Sequence, residues 1–322
     1  MKQRFLGLIL FPHELDASWA ELMAASGLNT IGIHPPGGEK AGRNLAEMLN
    51  ETMQTTVFKE SIKAFSKAGI SVEYKMHAMD WMLPRQEYDA HPDWFRMDEF
   101  GQRNPDFNLC PSNEDALKRL EKGAEDLARH LPSPDTHRYF FWIDDVRDKY
   151  CRCEKCRYLT PSDQALIMYN HILRGVRRAD PEATHCYLAY QDSIEAPMAV
   201  KPEDGLFLEY APIERCSGYA MNDVSCSKNR EQASHIDGLL NVFGTETAQV
   251  LEYWLDNSRF YNWKRPYGEL PFYKAVMRLD VEFYKSKGFT HFTSFACGLG
   301  SDYAQHYGIP PIETYGRILN GK

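Results

Sequence analysis

This sequence has little that would suit a membrane. No stretch approaches the ~20 consecutive apolar residues of a spanning helix. The apolar run Phe5-Leu6-Gly7-Leu8-Ile9-Leu10-Phe11 is short, lacks a small-residue cleavage site and leads straight into Pro12-His13-Glu14. It reads as a first strand rather than a signal peptide, so a cytoplasmic chain is expected. Basic residues are also in deficit: 37 Lys and Arg face 45 Asp and Glu, net −8, with no basic block. Such a balance argues against nucleic acid and anionic membranes as partners. Eight cysteines in 322 residues are too few for a disulfide scaffold and are expected to be thiols in a reducing compartment. Several motifs are missing too. The turn Phe11-Pro12-His13-Glu14 is no dinucleotide fingerprint, and Pro35-Pro36-Gly37-Gly38-Glu39-Lys40 lacks the ending of a P-loop. There is no Gly-x-Ser-x-Gly elbow and no His-x-x-x-His helix. No cofactor is expected.

What is present suits a large folded core, with 43% hydrophobic and 13% aromatic residues. Short β-branched or aromatic runs at residues 4–11, 30–34, 71–77, 138–143, 184–190, 206–210, 249–254 and 290–295 read as strands. Amphipathic segments at 18–25, 41–68, 114–131, 161–179, 229–242, 271–287 and 312–319 read as helices between them. Ser112 three before Asp115, and Thr160-Pro161-Ser162-Asp163, look like helix starts. Gly27, Gly69 and Gly288 stand where helix C-caps are expected. Eight strands alternating with helices, and no evident linker, predict one domain over residues 1–322, a single (β/α)8 barrel. The segment 80–111 after strand 3 exceeds an ordinary βα loop. The fifth crossover, 191–205, leaves the least room for a helix.

Barrel chemistry gathers at the C-terminal ends of the strands. Those ends carry His13 and Glu14, His34, His77 with Asp80 and Trp81, Trp142 with Asp144 and Asp145, Tyr190-Gln191-Asp192, Glu209 and Tyr210 with Glu214 and Arg215, Glu252-Tyr253-Trp254, and Phe295-Ala296-Cys297-Gly298. Carboxylates, histidines and large aromatics suit a sugar: pyranose rings stack on Trp and Tyr, and hydroxyls pair with acids and imidazoles. Glycosidic cleavage needs an acid and a second group opposite it. Some of these acids are expected to cap helices, and some aromatics to pack the barrel. The Asp144-Asp145 pair is the sharpest feature, since adjacent acids repel and one pKa is expected to rise, as a general acid requires. Glu209 and Glu252 each sit in a Leu-Glu-Tyr tripeptide at a strand end. Each is a candidate second carboxylate or a salt-bridge partner of Arg215 or Arg259.

Cys151-x-Cys153-x2-Cys156 places three thiols in six residues ahead of a helix. Zinc would need a fourth ligand from afar, with Cys110, Cys216, Cys226 and His130 available. One CxxC with an added CxC falls short of a full CxxC…CxxC set, so free or packing thiols and no metal are expected.

Several dispersed motifs carry a resemblance. They are His91-Pro92-Asp93-Trp94-Phe95, Gly101, Asn108-Leu109-Cys110-Pro111-Ser112-Asn113, Asp144-Asp145 with the cysteine cluster, Thr160-Pro161-Ser162-Asp163-Gln164, and Tyr210-Ala211-Pro212-Ile213-Glu214-Arg215-Cys216 with Cys226. From about Trp19 onward the chain resembles a bacterial barrel domain linked to family 163 glycoside hydrolases, which are endo-β-N-acetylglucosaminidases. More distantly it resembles family 20 β-hexosaminidases, which carry an Asp-Glu pair at the end of strand 4. The resemblance implies retaining, substrate-assisted cleavage of a β-linked N-acetylglucosamine-type glycan. By position Asp145 would be the acid and Asp144 would orient the acetamide, although Asp stands here where Glu is expected. His34, His77, Asp80, Trp142, Tyr190, Tyr210, Arg215 and Trp254 are the candidate substrate-binding residues. The alternatives are a uronidase or other glycosidase using Glu209 and Glu252, and a non-catalytic carbohydrate-binding barrel.

Overall fold

The computed structural model describes residues 4–322. Eight parallel strands pair in sequence order and close between the first and the last. They are β1 Leu6–Leu10, β2 Thr30–Ile33, β3 Ser71–His77, β4 Arg138–Trp142, β5 Thr184–Ala189, β6 Leu206–Tyr210, β7 Gln249–Glu252 and β8 His291–Phe295. All eight expected strands are present, most of them a residue or two shorter. Their apolar character follows from burial on both faces, between the barrel interior and the helices outside.

The surrounding helices are α1 Ser18–Ala25, α2 Ala41–Asn50, α3 Thr56–Lys67, α4 Met79–Met82, α5 Glu114–His130, α6 Pro161–Ala179, α7 Ser227–Ser234, α8 Ile236–Phe243, α9 Asn257–Phe260, α10 Lys274–Ser286, α11 Ser301–Tyr307 and α12 Ile312–Leu319. The segment expected as one helix over 41–68 is two, because Thr55 leaves helical geometry and caps α3 by accepting the Phe58 N–H at 3.2 Å. The segment 229–242 likewise divides, at His235. The cap of α5 is Asn113 rather than Ser112; its side-chain oxygen accepts from Asp115 and Ala116. Thr160 and Asp163 form the expected capping box on α6. No full helix follows β5, only a 3-10 turn at Gln191–Ser193. No described helix is long and apolar enough to cross a membrane.

The barrel interior is unusually polar. Lys75 bridges Glu73 (3.2 Å) and Glu209 (3.1 Å), and Arg138 bridges Glu73 (3.1 Å). Gln249 accepts from Arg138 (2.6 Å) and donates to Glu209 (2.8 Å), which closes a ring. Phe140 lies 3.0 Å below the Lys75 ammonium. All five ring members are buried. The two cations match the two anions, which is what makes such burial tolerable.

Candidate active site

Above this ring the C-terminal strand ends open into a mouth of about 490 Å³, within the range of small-molecule sites. Its floor is Trp142, whose Nε1 donates to Glu209 at 3.0 Å. His34 and His77 stand over that indole, with ring centroids 5.5 and 5.2 Å from it. Each histidine commits Nδ1 to a backbone carbonyl, His34 to Lys75 at 2.8 Å and His77 to Ile143 at 2.6 Å. The Nδ1 atoms thus carry the protons, and each Nε2 is the atom left to meet a ligand. Burial and the neighbouring His77 push His34 down to about 3, so its imidazole is neutral. Tyr253 and Phe295 stack at 5.5 Å on another wall, and Phe11 and Trp263 complete the aromatic lining.

Two of the carboxylates in this lining follow β4 and β7, three strands apart round the barrel. Asp145 follows β4. It accepts from the Tyr190 hydroxyl at 2.9 Å and from Gln191 at 3.4 Å. Burial, and then the Asp145 charge, hold that phenol well above its usual value, so it remains a donor. Gly37 borders both Asp145 and His77. A Cβ there would stand 2.9 Å from the imidazole and 3.1 Å from Asp145 Oδ2, so glycine is what lets the loop pack this close to both side chains. Asp256 follows β7 and caps α9, accepting from Ser258 (2.5 Å) and the Arg259 N–H (3.2 Å). Burial pushes its pKa up to about 6. Glu214 also lines the mouth.

Asp144 turns away from its neighbour. Its carboxylate takes a hydrogen bond from Arg85 at 2.6 Å and another from the Asn108 N–H. The two adjacent acids therefore serve different partners. Asp80 approaches the same Arg85 at 3.6 Å and does not line the mouth. Glu209 sits in the ring beneath Trp142, and Glu252 lies behind the sheet. The latter is bonded to Arg215 and Tyr284, each at 2.6 Å. Arg215 also reaches Asp280, to which Trp254 donates at 2.8 Å. Tyr210 donates to the Gln232 carbonyl outside the barrel. Of the residues expected at the site, the mouth thus assembles His34, His77, Trp142, Asp145 and Tyr190. It does not assemble Asp80, Asp144, Glu209, Tyr210, Arg215, Glu252 or Trp254. His13 and Glu14 line a separate cleft of about 360 Å³ with Arg265 and Asp302. There burial raises Glu14 to about 7, against the bonds it accepts from the Gly298 N–H.

Asp256 and Gly37 escaped the sequence reading. Asp256-Asn257-Ser258 looks like an ordinary helix cap, which it also is. Gly37 lies in a loop whose only legible signal was a failed P-loop.

No curated protein matches the chain in sequence. Among solved structures it is similar to the β-galactosidase of the psychrophilic Marinomonas ef1 (TM-score 0.55, 12% identity, 98% of this chain and 59% of that one). It is also similar to the cold-adapted β-galactosidase of Rahnella sp. R3 (0.54, 12%, 99% and 56%) and to a Bacteroides ovatus GH5 xyloglucanase (0.50, 13%, 95% and 68%). Identity this low speaks to the barrel fold alone, and the chain spans less than three-fifths of either galactosidase. Residues 43–305, which run from α2 to α11 and so include β3 through β8 with Asp145 and Asp256, match the family described as Domain of unknown function (DUF4838). The chain belongs to the DUF4838 family.

Proposed function

We propose that the mouth is the active site of a glycoside hydrolase acting on a β-linked N-acetylglucosamine-type sugar. The observation that carries this reading is the placement of Asp145 and Asp256 on one aromatic-walled cavity, with Asp256 raised to about 6. A carboxylic acid holding its proton near neutrality can protonate a leaving oxygen. The partner, Asp145, is held in place by two neutral donors, Tyr190 and Gln191. In this reading Trp142 and the Tyr253–Phe295 stack receive the apolar sugar faces, and the histidine Nε2 atoms accept from hydroxyls. In this reading a 2-acetamido N–H donates to the Asp145 carboxylate. The acetamide oxygen then attacks the anomeric carbon as Asp256 gives its proton to the departing oxygen. Water opens the resulting oxazolinium, returning a proton to Asp256. The neighbours sharing the fold are sugar-cleaving enzymes by name, which agrees with this reading.

A panel of aryl β-glycosides with and without the 2-acetamido group tests it. Turnover of the acetamido substrate is expected, with Asp145→Asn lowering kcat/KM by about 100-fold or more, and Asp256→Asn doing so where the aryl leaving group needs protonation, while circular dichroism is unchanged. Equal turnover of the plain glycosides would remove the acetamide role. Sugar binding without turnover of any of them would replace the enzyme by a lectin-like barrel.

A further inference from the structure

We infer that Cys110, Cys151, Cys153 and Cys156 bind one zinc ion as a closed, structural tetrathiolate site. All four side chains are buried, and their sulfurs lie within 4.8 Å of one another. Of the four possible fourth ligands named from the sequence, Cys110 is the one that joins the triplet, coming from the long loop after β3. His130 instead packs against Trp81. A tetrahedron with Zn–S bonds of about 2.3 Å has edges of about 3.8 Å. Cys110 Sγ lies 3.7 Å from Cys153 Sγ and 3.9 Å from Cys156 Sγ.

Donors that favour thiolates surround the cluster. The Met97 N–H points at Cys151 Sγ (3.3 Å), as does Arg103 Nη1 (3.8 Å). The Ser112 hydroxyl lies 3.2 Å from Cys110 Sγ and 3.6 Å from Cys153 Sγ. A tetrathiolate zinc centre carries two negative charges, and the guanidinium offsets part of them. The loop backbone is held by groups outside the thiol set. Gln164 on α6 accepts from the Cys151 N–H (2.9 Å) and donates to the carbonyls of Cys151 (3.0 Å) and Cys156 (3.3 Å). Apolar packing of four thiols explains their burial. It does not explain a backbone amide and a guanidinium aimed at one of the sulfurs. Four sulfur donors fill a zinc ion's coordination shell and leave no position for substrate or water, and none of them lines the mouth, so the ion braces rather than reacts.

What it braces is the approach to the β4 acids. Asn108, two residues before Cys110, donates its N–H to the Asp144 carboxylate and accepts the Asp144 N–H at 3.1 Å. Its Nδ2 reaches the Lys149 carbonyl, two residues before Cys151, at 3.2 Å. Zinc would thus tie the β3 and β4 loops together.

Elemental analysis of the purified full chain tests this directly. About one zinc per chain is expected. An organomercurial titration should release it in step with four thiols, and cells grown in cobalt should yield the visible bands of tetrahedral tetrathiolate cobalt. Cys153→Ser should lower zinc content at least several-fold. If that variant does not fold, the wild-type titration and cobalt spectrum still decide. Less than about a tenth of an equivalent of zinc in protein with freely titrating thiols would overturn the inference. So would stoichiometric iron, or a mass showing the four thiols oxidised to disulfides.

Discussion

Glu209 stands at a strand end beside a cavity, yet its carboxylate belongs to the interior ring, and Glu209→Gln separates those two roles. The substitution keeps the shape and an oxygen for Trp142 Nε1, now 3.0 Å away. It removes one of the two anions that balance Lys75 and Arg138. Breaking a buried pair by neutralising one partner costs about 3–5 kcal/mol, because the remaining charge stays desolvated. Unfolding entropy of about 2.1 cal/mol/K per residue, taken over 322 residues, gives about 0.7 kcal/mol/K. The midpoint in differential scanning calorimetry should therefore fall by about 4–7 °C. Adding Lys75→Met restores the balance between Arg138 and Glu73 and should recover most of the loss, since an ion pair replaced whole by apolar or neutral groups is often neutral in stability. Turnover by folded Glu209→Gln should stay within about tenfold of wild type. A midpoint within 1 °C of wild type together with a loss of activity on the order of a hundredfold would refute the reasoning and make Glu209 a reacting group.

Three further outcomes follow from the mouth. Asp256 has a folded pKa of about 6 against roughly 3.9 when unfolded. Its ionised form is thus penalised in the fold, and the stability this protonated acid allows is present below about 4 and lost as pH rises through 6. Asp256→Asn, which keeps the helix cap, should gain stability over wild type by about 2 kcal/mol between pH 4.5 and 7.5. Urea unfolding at the two pH values reads this, and a constant difference would contradict it. Activity of the wild type should decline above pH 6 as the same proton leaves. Gly37→Ala puts a methyl group 2.9 Å from the His77 ring and 3.1 Å from Asp145. A displacement of about 1 Å there should lower kcat/KM on the order of a hundredfold with little change in melting temperature; unchanged kinetics would show that the placement of these two side chains does not matter.

The barrel was legible because each strand is a short apolar run buried on both faces and each helix carries an amphipathic pattern with a recognisable end. Which side a strand-end residue faces was not. The tripeptide Leu-Glu-Tyr occurs at 208–210 and at 251–253 with opposite pleat phase. Glu209 pairs in register with Gln249, and both point inward. Leu251 and Tyr253 line the mouth, which sends Glu252 outward to Arg215. Strand pairing sets that phase, and composition does not reveal it. Asp145 was legible as a strand-end acid, but Asp144 was not separable from it, since the turn after β4 and the distant Arg85 decide where it goes. Asp256 was hidden by a local role that fully explains its presence. The cysteine triplet was visible, while its fourth member lay 43 residues before Cys153, inside the long loop after β3 that only the folded chain brings back.

The division of labour between Asp145 and Asp256 is the central claim, and leaving-group dependence tests it most directly. The kcat/KM of wild type, Asp256→Asn and Asp145→Asn should be measured on two aryl N-acetyl-β-glucosaminides, one with a leaving group that needs protonation and one with a leaving group that does not. Loss of a general acid costs about 10²–10⁴-fold only where a proton is required. Asp256→Asn should therefore fall by that factor on the poor leaving group and stay within about tenfold of wild type on the good one, while Asp145→Asn should fall on both. Equal losses by Asp256→Asn on the two substrates, or full activity of Asp145→Asn on either, would contradict the account.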